Sequence, residues 1–69
     1  MRVLLRNIET GLYFQGPEQW TSRPKLARDF EHGTDAIKFV YESGLKDMEL
    51  MLAFEDGHPD ICLPLKQNP

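Results

Sequence analysis

A single cysteine, Cys62, occurs in the 69 residues, so no disulfide forms within the chain and no cysteine-rich zinc module is available. Histidines number two, His32 and His58, at no recurring metal-ligand spacing. Long hydrophobic runs are absent too. The apolar stretch Val3-Leu4-Leu5 stops at Arg6, too short for a secretory signal and far too short to span a bilayer. Neither repeats nor low-complexity linkers interrupt the chain. The expectation is one small cytoplasmic domain over residues 1–66 with a frayed tail at 67–69, holding no cofactor and no metal. A domain this small is marginally stable and has little core to give up for a substrate pocket.

Charge is unevenly placed. Residues 1–28 carry five basic side chains against two acids, a net +3. Residues 29–69 carry nine acids against three lysines, a net −6. The overall −3 opposes phosphate binding, although a local basic patch can act alone.

The stretch Leu12-Tyr13-Phe14-Gln15-Gly16 coincides with the remnant of a common tag-removal protease site. Nothing before Glu9 resembles a tag, and residues 2–8, rich in branched aliphatics, need a strand to pair with. A Gly-containing turn at Asn7–Gly11 followed by "LYFQ" supplies that strand, so the stretch reads as native. Gly16-Pro17 then closes the hairpin and residues 18–33 read as irregular. Within them, Ser22 caps a short turn with Pro24 at an early helical position, and Leu26, Ala27 and Phe30 recur at helical spacing.

Residues 34–43 form the principal helix. Thr34 is the expected N-cap, Asp35 lies where the helix dipole favours an anion, and Ala36, Ile37, Val40 and Tyr41 make the apolar stripe. Gly44 suits a left-handed cap followed by the apolar Leu45. Residues 47–55 alternate, with Met48, Leu50, Leu52 and Phe54 on one face and Met51 and Ala53 on the other. "ICLPL" makes the last strand, with Ile61, Leu63 and Leu65 toward the helix. Pro64 places that strand at a sheet edge. The predicted fold is α+β in the order ββαββ, an antiparallel sheet with one main helix on one face.

One helix covers one face. The second face keeps apolar character through Met51, Ala53 and Cys62, joined by Leu4 and Tyr13 or by Val3, Leu5, Leu12 and Phe14 according to register. Wet faces of antiparallel sheets are normally polar. Either the 17–30 loop folds over this face or it is a contact surface. The candidate interaction surface is therefore Leu4, Tyr13, Trp20, Met51, Ala53 and Cys62, serving a non-enzymatic interaction module, a small homodimer or an unidentified protein partner. The alternative is weak nucleic-acid binding by Arg2, Arg6, Tyr13 and Trp20, which the acidic half disfavours. The cluster Glu55-Asp56-Gly57-His58-Pro59-Asp60-Ile61-Cys62 holds ligand-type and nucleophile-type side chains. Its spacing fits neither a metal site nor an oriented Cys–His pair, so no catalytic residue is expected there.

Taken together, Arg6-Asn7, Thr10-Gly11, Leu12-Tyr13, Trp20-Thr21-Ser22, Ala27, Phe30 and Asp35-Ala36 resemble a pattern in small bacterial and phage-encoded proteins with no assigned activity. The resemblance spans about residues 4–45 and implies a small α+β fold. Trp20-x-Ser22, Phe30, Asp35-Ala36-Ile37-x-Phe39 and Gly44 also resemble a small accessory subunit family of respiratory NADH dehydrogenase. That likeness implies a structural role without catalysis.

Overall fold

The computed structural model describes residues 1–54 and 60–65, and places five antiparallel strands and one α-helix. The strands are β1 (Arg2–Asn7), β2 (Tyr13–Gly16), β3 (Gln19–Thr21), β4 (Met48–Ala53) and β5 (Ile61–Pro64), and the helix α1 spans Gly33–Ser43. Their spatial order is β3-β2-β1-β4-β5. The helix crosses the sheet over β1 and β4. The expected tail at 67–69 lies outside the described residues.

The α+β class and the antiparallel sheet agree with the sequence, but the order is βββ-α-ββ rather than ββαββ. The missed element is β3. Pro17 does not close a hairpin; with Glu18 it makes a two-residue reversal between Gly16 and Gln19. Glu18 takes a left-handed φ of 59°, a conformation that an ordinary side chain adopts only at a cost. Register shifts between Phe14 and Gly16, leaving Gln15 as a bulge beside this short edge strand.

The first turn is held by short polar side chains. Asn7 Oδ1 accepts hydrogen bonds from the main-chain N–H of Glu9 and of Thr10, and Thr10 Oγ1 accepts one from Leu12. Gly11, at φ 73°, supplies the left-handed residue. This closes the chain so that Arg6 faces Tyr13, which settles the register: Leu4 and Tyr13 share the second face.

The helix begins one residue early. His32 occupies the N-cap position without a side-chain cap bond, and Thr34 lies inside the first turn. The reversal is already complete there, because Glu31 is left-handed (φ 69°) and the His32 N–H donates to Phe30 C=O. At the other end Gly44 is left-handed (φ 71°) and its N–H donates to Val40 C=O, as the sequence anticipated. Between β3 and α1, only Pro24–Leu26 makes a helical turn, of the 3-10 type, and Leu26 is exposed.

The main core joins Val3, Leu5, Phe14, Met48 and Leu50 from the sheet to Ala36 and Val40 from the helix and to Phe30. Phe14 is its hub. Its ring lies 4.9 Å from Phe39, 6.0 Å from Phe30 and, edge-on, 5.6 Å from Trp20. Residues 12–16 are therefore an integral strand. Replacing Phe14 by Ala removes the centre of this cluster and is expected to cost about 3–5 kcal/mol, whereas the neighbouring exposed Gln15→Ala should change stability by under about 0.5 kcal/mol. Urea unfolding followed by tryptophan fluorescence measures both.

Candidate interaction surface

The second face of the sheet begins with the cross-strand pairs Leu4–Met51, Arg6–Glu49 and Arg2–Ala53 of β1 and β4. β2 adds Tyr13, while β5 adds Cys62 opposite Met51 and Pro64 opposite Glu49. Residues 24–27 fold over the middle of it. Ala27 packs into a second buried cluster with Leu4, Tyr13 and Met51, and Ala53 lies against its margin.

This strap is fixed by main-chain polar groups. Arg2 donates from Nη1 to Pro24 C=O (2.8 Å) and from Nη2 to Ala27 C=O (2.7 Å). Arg28 N–H donates to Phe14 C=O and Phe30 N–H to Val3 C=O, so residues 28–30 lie between β1 and β2. Asp29 Oδ1 accepts from Val3 N–H at 2.9 Å and from Glu31 N–H at 2.8 Å. The Val3 bond, with that from Glu31 and the positive charge of Arg2, outweighs the opposing effect of burial and lowers the Asp29 pKa below its ordinary 3.8.

Beside the strap, Arg6 Nη2 lies 2.6 Å from Glu49 Oε1, with the Arg6 guanidinium above the Tyr13 ring. Burial disfavours the Arg6 charge, but Glu49, with a contribution from Tyr13, raises its pKa above the usual value. Cys62 directs its thiol at Met51 Sδ. Burial first, then the Glu49 carboxylate, pushes the Cys62 pKa upward, which keeps the thiol protonated at neutral pH. A protonated thiol is a poor nucleophile.

The six candidate surface residues thus divide. Leu4, Tyr13 and Met51 are buried under the strap, Ala53 is half-buried, and Cys62 is exposed. Trp20 packs on the opposite, helix-bearing face beside Phe14, so it does not belong to the second face. The basic and aromatic set of Arg2, Arg6, Tyr13 and Trp20 likewise forms no common platform. Both guanidinium groups are engaged within the chain, the Tyr13 ring is buried, and Trp20 faces the other way.

Leu26 and Ile8 are exposed singly, whereas two uncovered aliphatics stand side by side on β5. Ile61 and Leu63 pair with Leu52 and Leu50 and so project on the helix face, yet they stay 45% and 47% exposed. The expectation that they meet the helix is corrected: α1 packs mainly on β1 and β4 and leaves both side chains nearly half exposed. Helical geometry places Ile37 and Tyr41 on the flank of α1 away from Phe39, hence on the β5 side. Tyr41 is exposed. All four residues of β5 are exposed, and among the described residues β5 ends the sheet, as Pro64 suggested.

Of the cluster around His58, residues 55–59 lie outside the described residues. Among the described residues, no group of three or more His, Cys, Asp or Glu side chains is placed to hold a metal ion. An open depression of about 400 Å³ lies between residues 28–31 and α1, but its six charged side chains are all exposed. No described helix is long and apolar enough to cross a membrane. No protein family, curated protein or solved structure matches this chain.

The strap makes a pH-dependent contribution through Asp29. Its carboxylate titrates lower in the folded chain, so the contribution is complete above the unfolded pKa and disappears as pH falls through the folded value. Asp29→Ala is expected to lose about 1 kcal/mol near neutral pH. The gap between variant and parent should shrink as the pH drops below 3.8, which denaturation at a series of pH values measures.

Proposed function

We propose that this chain is a non-enzymatic protein-interaction module that associates with a second copy through the β5 end of its sheet. The observation that carries this reading is the exposure of Ile61 and Leu63, two aliphatic side chains on a sheet face that the helix leaves uncovered. In a chain that buries Val3, Leu4 and Leu5 completely, two half-exposed aliphatics side by side on an edge strand represent retained apolar surface. The flank of α1 bearing Ile37 and Tyr41 borders the same opening. The other part of the proposed contact is the outer second face, where Cys62 and Pro64 remain exposed beyond the strap.

The contact is modest in size. A stable complex buries on the order of 800 Å² per partner, far more than two aliphatic side chains supply. The association is therefore reversible and concentration-dependent.

Light scattering coupled to size exclusion over a concentration series tests this. The apparent mass should rise from that of one chain toward that of two as loading approaches about 1 mM. Leu63→Lys, at an exposed position, should keep the fold by circular dichroism and stay monomeric. A parent chain that remains monomeric throughout the series would sink the reading.

A further inference from the structure

The hydrogen-bond pattern of β5 defines how its edge can be used. Leu65 N–H donates to Met48 C=O at 3.0 Å, one step beyond the pair Glu49–Pro64. Antiparallel pairs alternate between those that exchange main-chain bonds and those that do not. Leu63–Leu50 and Ile61–Leu52 are accordingly bonded pairs, while Cys62 and Pro64 turn their main-chain polar groups away from β4. Pro64, which lacks an N–H, thus stands where the β4–β5 ladder needs no donor. Cys62 is the residue within β5 that offers both an N–H and a C=O to the open edge.

Building on the self-association reading above, we propose that two copies join β5 to β5, antiparallel, about a two-fold axis passing at Cys62. In this register the Cys62 N–H of each copy donates to the Cys62 C=O of the other. Pro64 falls opposite Asp60, whose N–H meets the Pro64 C=O, so the missing proline donor leaves one bond unmade on each side. On the helix face, Ile61 of each copy lies directly across from Leu63 of the other, in the closer, non-bonded type of pair. A two-fold contact needs such self-complementarity, because the same patch serves both partners.

The register is selected by the side chains. Sliding one strand so that Cys62 faces Pro64 leaves the Cys62 C=O instead of the Asp60 C=O without a donor, and sets Ile61 against the half-buried Leu65. Sliding it the other way sets Ile61 against Ile61 and removes Leu63 from its aliphatic partner. Only the Cys62-centred pairing sets the exposed Ile61 of each copy against the exposed Leu63 of the other. The product is one continuous sheet joining the two sets of five strands, with both helices on the same face. The edge strand β3 has three residues and lies beside the bulge at Gln15 of β2, which suits it less to such pairing.

Amide hydrogen exchange read by NMR on the unmodified chain tests the pairing without any substitution. In dilute solution the Cys62 amide should exchange freely, while that of Leu63, bonded to Leu50, is protected. At a concentration where light scattering finds the dimer, Cys62 exchange should slow by about 10-fold or more, with Leu63 changed much less. A dimer whose Cys62 amide stays unprotected would overturn the β5 pairing and leave self-association standing. Absence of a dimer at every concentration would overturn both.

Discussion

The fold depends on how residues 27–30 pass from one face of the sheet to the other between β1 and β2. Ala27 is buried on the second face with Leu4 and Met51, while Phe30, three residues later, is buried on the helix face with Phe14. The main chain between them is bonded to both flanking strands: Arg28 to Phe14, Phe30 to Val3, and the Asp29 carboxylate to the Val3 N–H. Buried main-chain polar groups need partners, and β1 and β2, which pair only near Arg6 and Tyr13, would otherwise leave theirs open. One short segment thus satisfies a splayed strand pair, contributes an aromatic ring to one core and roofs the other. Its position also directs the chain into α1, since the left-handed Glu31 turns it immediately after Phe30.

The cover is spent at one end of the molecule. The strap lies over β1, β2 and β4 on the second face, and α1 lies over β1 and β4 on the first. With one helix and one strap for five strands, β5 is left with exposed residues on both faces. A small chain has too little material to wrap every strand. The proposed association follows from that geometry: two of the aliphatic side chains left outside, Ile61 and Leu63, are on the strand whose main chain also faces the sheet's edge.

Much of this was legible in the sequence because local chemistry and tertiary packing agree. Alternation in Met48–Ala53, the αL glycine at Gly44, the Asn7–Gly11 turn and the edge position of Pro64 each have a local cause, and each stands where expected. The stretch around Phe14, which could pass for a foreign remnant, is the hub of the aromatic cluster. β3 was not legible, since three residues carry almost no period and the left-handed residue of its turn is Glu18 rather than a glycine. The roles of Arg2 and Asp29 were hidden for another reason. Their partners are main-chain groups 22 to 26 residues away, which no spacing rule connects. The misplacement of Trp20 follows from β3, because the face of a side chain is undefined until its strand is. The exposure of Ile61 and Leu63 turns on how far a helix of 11 residues reaches across the sheet, which periodicity does not encode.

The central claim is that two copies meet along β5, and direct contacts between copies decide it. In a mixture of isotope-labelled and unlabelled chains, filtered nuclear Overhauser spectra report only protons that approach across the interface. The account predicts cross-peaks between Ile61 of one copy and Leu63 of the other. Cross-peaks confined to the strap or to β3, or none in a sample shown to be dimeric, would contradict it.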